Sequence, residues 1–340
     1  MSNVMDYNFL DLSGAFKDSG VRQRLLTQMG LFVPYGHPSH AFNFDINLGS
    51  DQANSDPVMR HGSDWDYTVR SLAKLQNLEL PHWAFQDAVR PAMWQGKRKP
   101  GTNEPLTAED CMVDIGMDQR IKFGRIQEKY FADCLFHNKV NAKYTQEELV
   151  DNQIIVGKNQ QVLNIKLGDT SSDPDSFVMK VQRTIKKELG DRADYLTKVV
   201  CFASPSYFDS FRANPKVRET VQNGGVDGAI VEHVMGSYAE IASAYQMFIY
   251  GGILFVCDDY ADHGIAEGDA YFVPVLNSMS KVYTKHYGPA SRQFDIANSG
   301  PQEVFSYMVK DKYSMVDMCT EFSMLPVNLM PNAVVKSTNA

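Results

Sequence analysis

Residues 199–219 read VVCFASPSYFDSFRANPKVRE, and residues 246–257 read QMFIYGGILFVC. The apolar run over 198–203 has the length and composition of a strand buried on both faces. Ser204 and Pro205 end it and open a short aromatic-rich helix over 206–213, because serine caps a helix N-terminus and the fixed φ of proline suits its first turn. In the second stretch a glycine pair, Gly251 and Gly252, separates two β-rich halves and supplies the positive φ that a two-residue hairpin turn requires. Strands follow at 271–275 and 281–286. The tail over 322–336, FSMLPVNLMPNAVVK, is broken by Pro326 and Pro331, and the missing proline donors predict that it closes a sheet as an edge.

Upstream of this β-rich third, helices dominate. Residues 171–187 open at Asp173-Pro174 and carry Phe177, Val178, Val181 and Ile185 on one face. The stretches QIIVG and QQVLNIKLGD within 144–169 read as strands around a Gly-Lys-Asn turn. Residues 107–139 predict a long helix, on the order of 50 Å. Thr107 and Asp110 imitate a capping box. Ile115, Phe123, Ile126, Tyr130, Phe131, Cys134 and Leu135 form its apolar stripe, against Lys122, Arg125, Lys129 and Asp133; Gly116 and Gly124 could bend it. Towards the N-terminus, 42–48 and 67–80 alternate as strands around a polar bend. Residues 1–45 form a thin arm with one helix candidate at 15–29, and 223–243 are Gly-rich and then helix-capable. The mixture defines an α+β class.

The chain has 340 residues, 44% hydrophobic and 22% charged, with a formal charge of −8. That length buries a substantial core, and that acidity speaks against a protein built to grip phosphates. Cys111, Cys134, Cys201, Cys257 and Cys319 are dispersed, as buried free thiols are. The N-terminus lacks a secretory pattern and no apolar run reaches membrane-spanning length, so no membrane partner is expected. Charge is uneven: the first 56 residues hold three basic and six acidic residues, and 57–101 hold seven basic and four acidic. An acidic arm carrying Asp6, Asp11 and Asp18 and a basic segment carrying Arg60, Arg70, Lys74, Lys97, Arg98 and Lys99 could attract each other between copies. Both also read simply as solvated faces.

Chemistry finds little foothold. Ser278 and Lys281 match an S-x-x-K pattern without the companion elements that acyl transfer needs. His37 and His40 flank Pro38 and lack further ligands. Asp258, Asp259, Asp262 and His263 form the densest acidic patch, which lacks the alternation and closing Glu of a calcium loop and reads as a solvated loop. The glycines at 224, 225 and 228 fit no phosphate-binding pattern. Lys97-Arg98-Lys99 beside Trp94 reads as an exposed turn or a subunit contact, with too few aromatics for nucleic acid. His61, His82, His137, His233 and His286 are scattered. No catalytic, cofactor or metal residue is nominated, and none is expected.

The order strand, Ser204-Pro205, aromatic-rich helix, Asn214-Pro215-Lys216-Val217, and then a terminal strand interrupted at Leu325-Pro326 and Met330-Pro331, resembles the lambda-like major capsid protein E family of tailed bacteriophages. The resemblance is clearest over the final half. It implies the Hong Kong 97-type capsid fold, with an N-terminal arm at 1–45 and an extended loop at 46–85 lying across a neighbour. It places a peripheral domain at 86–170 and 301–340, with the spine helix at 107–139, and an axial domain at 171–300 whose tip falls near 224–238. Copies would form hexamers and pentamers in an icosahedral shell around double-stranded DNA, without sequence-specific binding. Partners would be a portal, in some relatives a decoration protein, and a scaffolding protein, separate because the short arm leaves no room for a built-in one. Lys74 is suitably placed for the cross-link some relatives form, but no partner or catalytic acid accompanies it. Competing readings are a non-viral compartment shell of the same fold, a tail or baseplate protein, and a soluble α+β enzyme.

Overall fold

A computed structural model describes residues 9–12, 25–47, 73–142, 147–169, 172–222, 245–310 and 316–339. In chain order the strands are β1 (Phe9–Asp11), β2 (Val33–Gly36), β3 (Ala41–Asn47), β4 (Ala73–Glu79), β5 (His82–Val89), β6 (Lys139–Asn141), β7 (Glu148–Asp151) and β8 (Gln161–Val162). Then come β9 (Leu196–Ala203), β10 (Met247–Tyr250), β11 (Ile253–Cys257), β12 (Asp269–Leu276), β13 (Tyr283–Tyr287), β14 (Phe305–Lys310), β15 (Val316–Asn328) and β16 (Val335–Thr338). The α-helices are α1 (Leu25–Met29), α2 (Pro91–Trp94), α3 (Ala108–Ala132), α4 (Asn152–Val156), α5 (Pro174–Leu189), α6 (Pro205–Ala213), α7 (Pro215–Gln222) and α8 (Phe294–Ala297).

The long helix starts as its sequence predicts. The Thr107 hydroxyl accepts from the Asp110 amide at 3.2 Å, and the Asp110 carboxylate accepts from the Thr107 amide at 3.0 Å. The expected length is nearly reached: the α-helical part, α3, has 25 residues, about 37 Å at 1.5 Å per residue. It runs on through a π turn, Asp133–His137, and stops at Asn138, whose φ of 55° is left-handed. Lys139 already belongs to β6, and Asn138 tolerates the turn because its short polar side chain suits that conformation.

Two sheets pack around this helix. The first has the order β1-β14-β15-β13-β2, with β5 also paired to β15; the second is β10-β11-β9-β12-β16-β8. The tail is an edge only in part: 324–328 of β15 pairs on one side among the described residues, as expected, whereas the strand before it and the end of the tail are interior. β14 pairs with 316–321 of β15, β5 with 316–323, and β13 with 324–328. Pro326 is tolerated because the strand beyond Ser323 has a partner on one side only among the described residues, so the missing amide donor breaks no two-sided ladder. β16 lies between β12 and β8. Residues 283–287 thus join the first sheet and residues 335–338 the second.

A second correction concerns residues 152–156, expected as a strand and found as α4. One oxygen of Asp151 accepts from the amides of Gln153 (2.9 Å) and Ile154 (3.2 Å), and Gly157 closes the turn at φ 75°. Three apolar residues do not distinguish a strand from one helical turn, and the cap decides. The helix expected at 171–187, the strand at 198–203, the helix at 206–213 and the hairpin at 251–252 form as read. In that hairpin Gly251 has φ 56° and a Cβ there would sit 2.7 Å from Val178 Cγ1, so conformation and space both require glycine.

Register tells which residues share a face. Cys201, Phe255 and Phe272 are directly opposed across β9, β11 and β12, and that face meets Phe211 of α6 (4.6 Å from Phe255) and Phe177 of α5 (5.9 Å from Phe272). The other face carries Phe202 and Tyr271, which pack on Phe136 at the end of the long helix. In the first sheet Trp83 opposes Phe322, and both meet α3 through Tyr130 and Phe123. The spine helix therefore lies on the first sheet along its body and under the second at its C-terminal end.

Candidate assembly surfaces

The extended hairpin is present in its base. β3 and β4 pair from Ala41↔Glu79 to Asn47↔Ala73 and join no other strand among the described residues. A two-stranded ribbon is marginal alone, and its support is aromatic: Phe42 stacks on His286 (4.1 Å) and His37 (4.6 Å). His37 Nε2 lies 2.8 Å from His286 Nδ1, and Thr284 Oγ1 lies 2.9 Å from His286 Nε2. Burial, and then the neighbouring His37, pushes the His286 pKa down to about 3. His37 and His286 are thus a packing pair that clamps the hairpin to β13.

The acidic loop read as solvated is corrected. Asp258 and His263 are buried, and with them Glu128 of α3. His263 Nδ1 lies 2.6 Å from Asp258 Oδ2, and Nε2 lies 3.4 Å from Glu128 Oε1. Glu128 also accepts from the amides of Leu26 (2.5 Å) and Thr27 (3.0 Å) and from the Thr27 hydroxyl (2.7 Å), satisfying donors that the first turn of α1 would leave unpaired. Burial lowers the His263 pKa, but the two carboxylates more than offset it and raise it to about 9. One charged cluster joins the arm, the spine helix and the loop after β11. Sequence reasoning missed it because Glu128, although three residues before Phe131 on the apolar side of α3, has its partners more than a hundred positions away. The clustering of Asp258, Asp262 and His263 was the available signal.

Of the residues nominated for subunit contact, Asp6, Asp18, Arg60 and Arg70 lie outside the described residues, as does the 224–238 tip. Lys74 is exposed on β4, its Nζ 3.5 Å from the Ile155 carbonyl oxygen. Lys97, Arg98 and Lys99 fold into a turn against the start of α3. Arg98 donates to the Thr102 carbonyl and Asn103 Oδ1, both at 3.3 Å, and Lys99 pairs with Asp110 at 3.0 Å. The Thr107 hydroxyl and Lys99 hold Asp110 down at a pKa of about 2. Asp11 sits on β1 opposite Tyr307. Leu12 packs on the same small cluster as Trp94 and Leu106, which flank the basic turn, so the structure brings the arm strand and this turn together within one chain. Ser278 and Lys281 lie on an exposed 3-10 turn, and no group able to hold a metal is found among the described residues.

A long helix bridging two sheets, a two-stranded pair held against β13, and an arm tied to that helix at α1 make up the Hong Kong 97-type capsid fold. The mature capsid of bacteriophage PhiM1 is similar in fold, with a TM-score of 0.53 at 9% identity over 92% of this chain and 86% of that one. The chain belongs to the phage major capsid protein E family, whose model matches residues 10–339. It is 22% identical over 302 residues to the major capsid protein of Pseudomonas phage KPP10, covering 82% of this chain and 80% of that protein. To the major capsid protein of Salmonella phage Felix O1 it is 22% identical over an alignment of 364 residues, covering 96% and 94%.

Proposed function

We propose that this chain is the major capsid protein of a tailed phage, a structural subunit whose copies build the icosahedral head shell as hexamers and pentamers around double-stranded DNA. The carrying observation is the family match across residues 10–339; the relatives of known name are structural proteins of phage heads, not enzymes. The first sheet with α3 would serve as the peripheral unit, and the second sheet with α5 and α6 as the axial unit. The hairpin from β3 and β4 would lie on a neighbouring copy. Of the nominated contacts, Lys74, Lys97 and Arg98 are exposed, whereas Lys99 pairs with Asp110 within the chain. Portal, scaffolding and decoration proteins complete the proposed set of partners. No described helix is long and apolar enough to cross a membrane, in keeping with residence in the virion shell.

The test is expression of the chain alone and with a scaffolding protein, followed by light scattering and negative-stain microscopy. Shells, tubes or capsomer-sized rings are expected. A monodisperse monomer or dimer that persists at high concentration, under crowding and beside a scaffold overturns the reading.

A further inference from the structure

The outward face of the spine helix is divided by charge. Its first half carries Glu109, Asp114 and Asp118 exposed, and its second half Lys122 and Arg125. Asp114, Asp118, Lys122 and Arg125 enter no ion pair among the described residues. Part of this segregation suits the helix dipole. The dipole does not account for the apolar row beside it: Val113 and Met117 are 42% and 45% exposed, and Ile121 is half-buried one turn further on. On α3 these positions are four apart and stand in line. Beyond them a groove of about 580 Å³ opens between α3 and β5, lined by Trp83, Phe85, Ile126, Lys122, Arg125 and Lys129.

We infer that this face is a self-complementary docking surface for the spine helix of a second copy, packed antiparallel about a two-fold axis near residues 119 and 120. That arrangement sets Asp114 of each copy opposite Arg125 of the other, in two contacts about 16 Å apart given the helical rise. It also brings Met117 of each copy beside the partner's Ile121, on one side of the axis, and Asp118 within a turn of the partner's Lys122. Parallel packing would oppose acid to acid and base to base, so the charge pattern selects the antiparallel register. A two-fold contact of this kind uses the same patch on both partners. The inference rests on the shell reading, in which it would be a contact between neighbouring subunits.

Charge reversal tests it with four samples of the full chain: Asp114→Lys, Arg125→Glu, the double variant, and an equal mixture of the two singles. Each single opposes like charges at both contacts and is expected to lower the assembled fraction on the order of ten-fold. The double variant restores both pairs. So does the mixture, because Lys at 114 in one chain then meets Glu at 125 in the other while the native pair forms on the far side of the axis. Recovery in the mixture separates pairing between copies from any contact within one chain, and circular dichroism confirms that each variant folds. Singles that assemble as the wild type does, or a mixture that stays as defective as its components, overturn the pairing and leave the shell reading standing. A wild type that forms no particles at high concentration, under crowding and beside a scaffold overturns the shell reading instead; the pairing is then decided by dimer formation in sedimentation equilibrium of the same samples, with the same pattern of loss and recovery required.

Discussion

In the second sheet the buried positions of β9, β11 and β12 are almost wholly apolar, and Phe202, Phe255 and Phe272 are fully enclosed. Around β15 of the first sheet the buried set includes Gln119, Ser306, Thr320 and Glu321. Gln119 donates to Asp87 (2.9 Å) and to the Met318 carbonyl (3.0 Å) and accepts from the Thr320 hydroxyl (2.8 Å). Glu321 accepts from the amides of Ser291 (3.1 Å) and Arg292 (3.2 Å). One sheet is held by area removed from water, the other by area together with polar groups that must each find a partner. Apolar burial is tolerant of position, whereas a buried polar group fixes register, because its loss leaves a partner unsatisfied. The strands of the first sheet come from the arm, the segment after the hairpin and the C-terminal third, and a register device is of most use where chain connectivity supplies least.

The comparison can be broken most forcefully at its apolar end. Phe255→Ala removes a ring stacked at 4.6 Å and 4.9 Å from Phe211 and Phe248, and denaturant unfolding should show a loss of about 3–5 kcal/mol. Glu128→Ala leaves two α1 amides without their partner and His263 with Asp258 alone. A loss of about 3 kcal/mol is expected, with hydrogen exchange at Leu26 and Thr27 accelerating before the second sheet opens; unchanged protection there would detach the arm from the cluster.

Titration sharpens the same point. With a folded pKa of about 9 against 6.5 unfolded, His263 binds its proton more tightly in the folded state. Its contribution is complete below about pH 6.5 and is lost as pH rises towards 9, up to about 3 kcal/mol. His263→Gln should flatten that alkaline decline, and an equally steep decline in the variant would assign it elsewhere. His286 has the opposite sign: its depressed pKa makes stability fall as pH drops from about 6.5 towards 3. The smallest effect falls on the polar seam, where Gln119→Ala should cost about 1–3 kcal/mol, against the larger loss at Phe255.

The seam and the charged cluster were the parts that reading residues in order could not reach. The strand at β9, the hairpin at Gly251 and Gly252, the cap at Thr107 and the amphipathic α5 were legible because each is signalled within a few residues by period, proline or glycine. The tail was legible at Pro326, where β15 pairs on one side only among the described residues, and misled beyond Pro331, where β16 lies between β12 and β8. Residues 152–156 misled because Asp151 can cap a turn or leave a strand with equal ease. Glu128 lies more than a hundred positions from Asp258 and His263, and although those two cluster with Asp262 in the sequence, nothing local ties them to Glu128 or marks them as buried.

The chain by itself determined its elements, its α+β class and, through the order of its motifs, its kinship with phage capsid proteins, because those depend on local periodicity and on the conformational limits of a few residues. Tertiary structure alone decided that β15 is central, that an acidic loop is a buried ionic junction and that the spine helix bears a charge-divided open face. Those outcomes depend on which distant surfaces exclude water from one another, and that is a property of the packed chain as a whole.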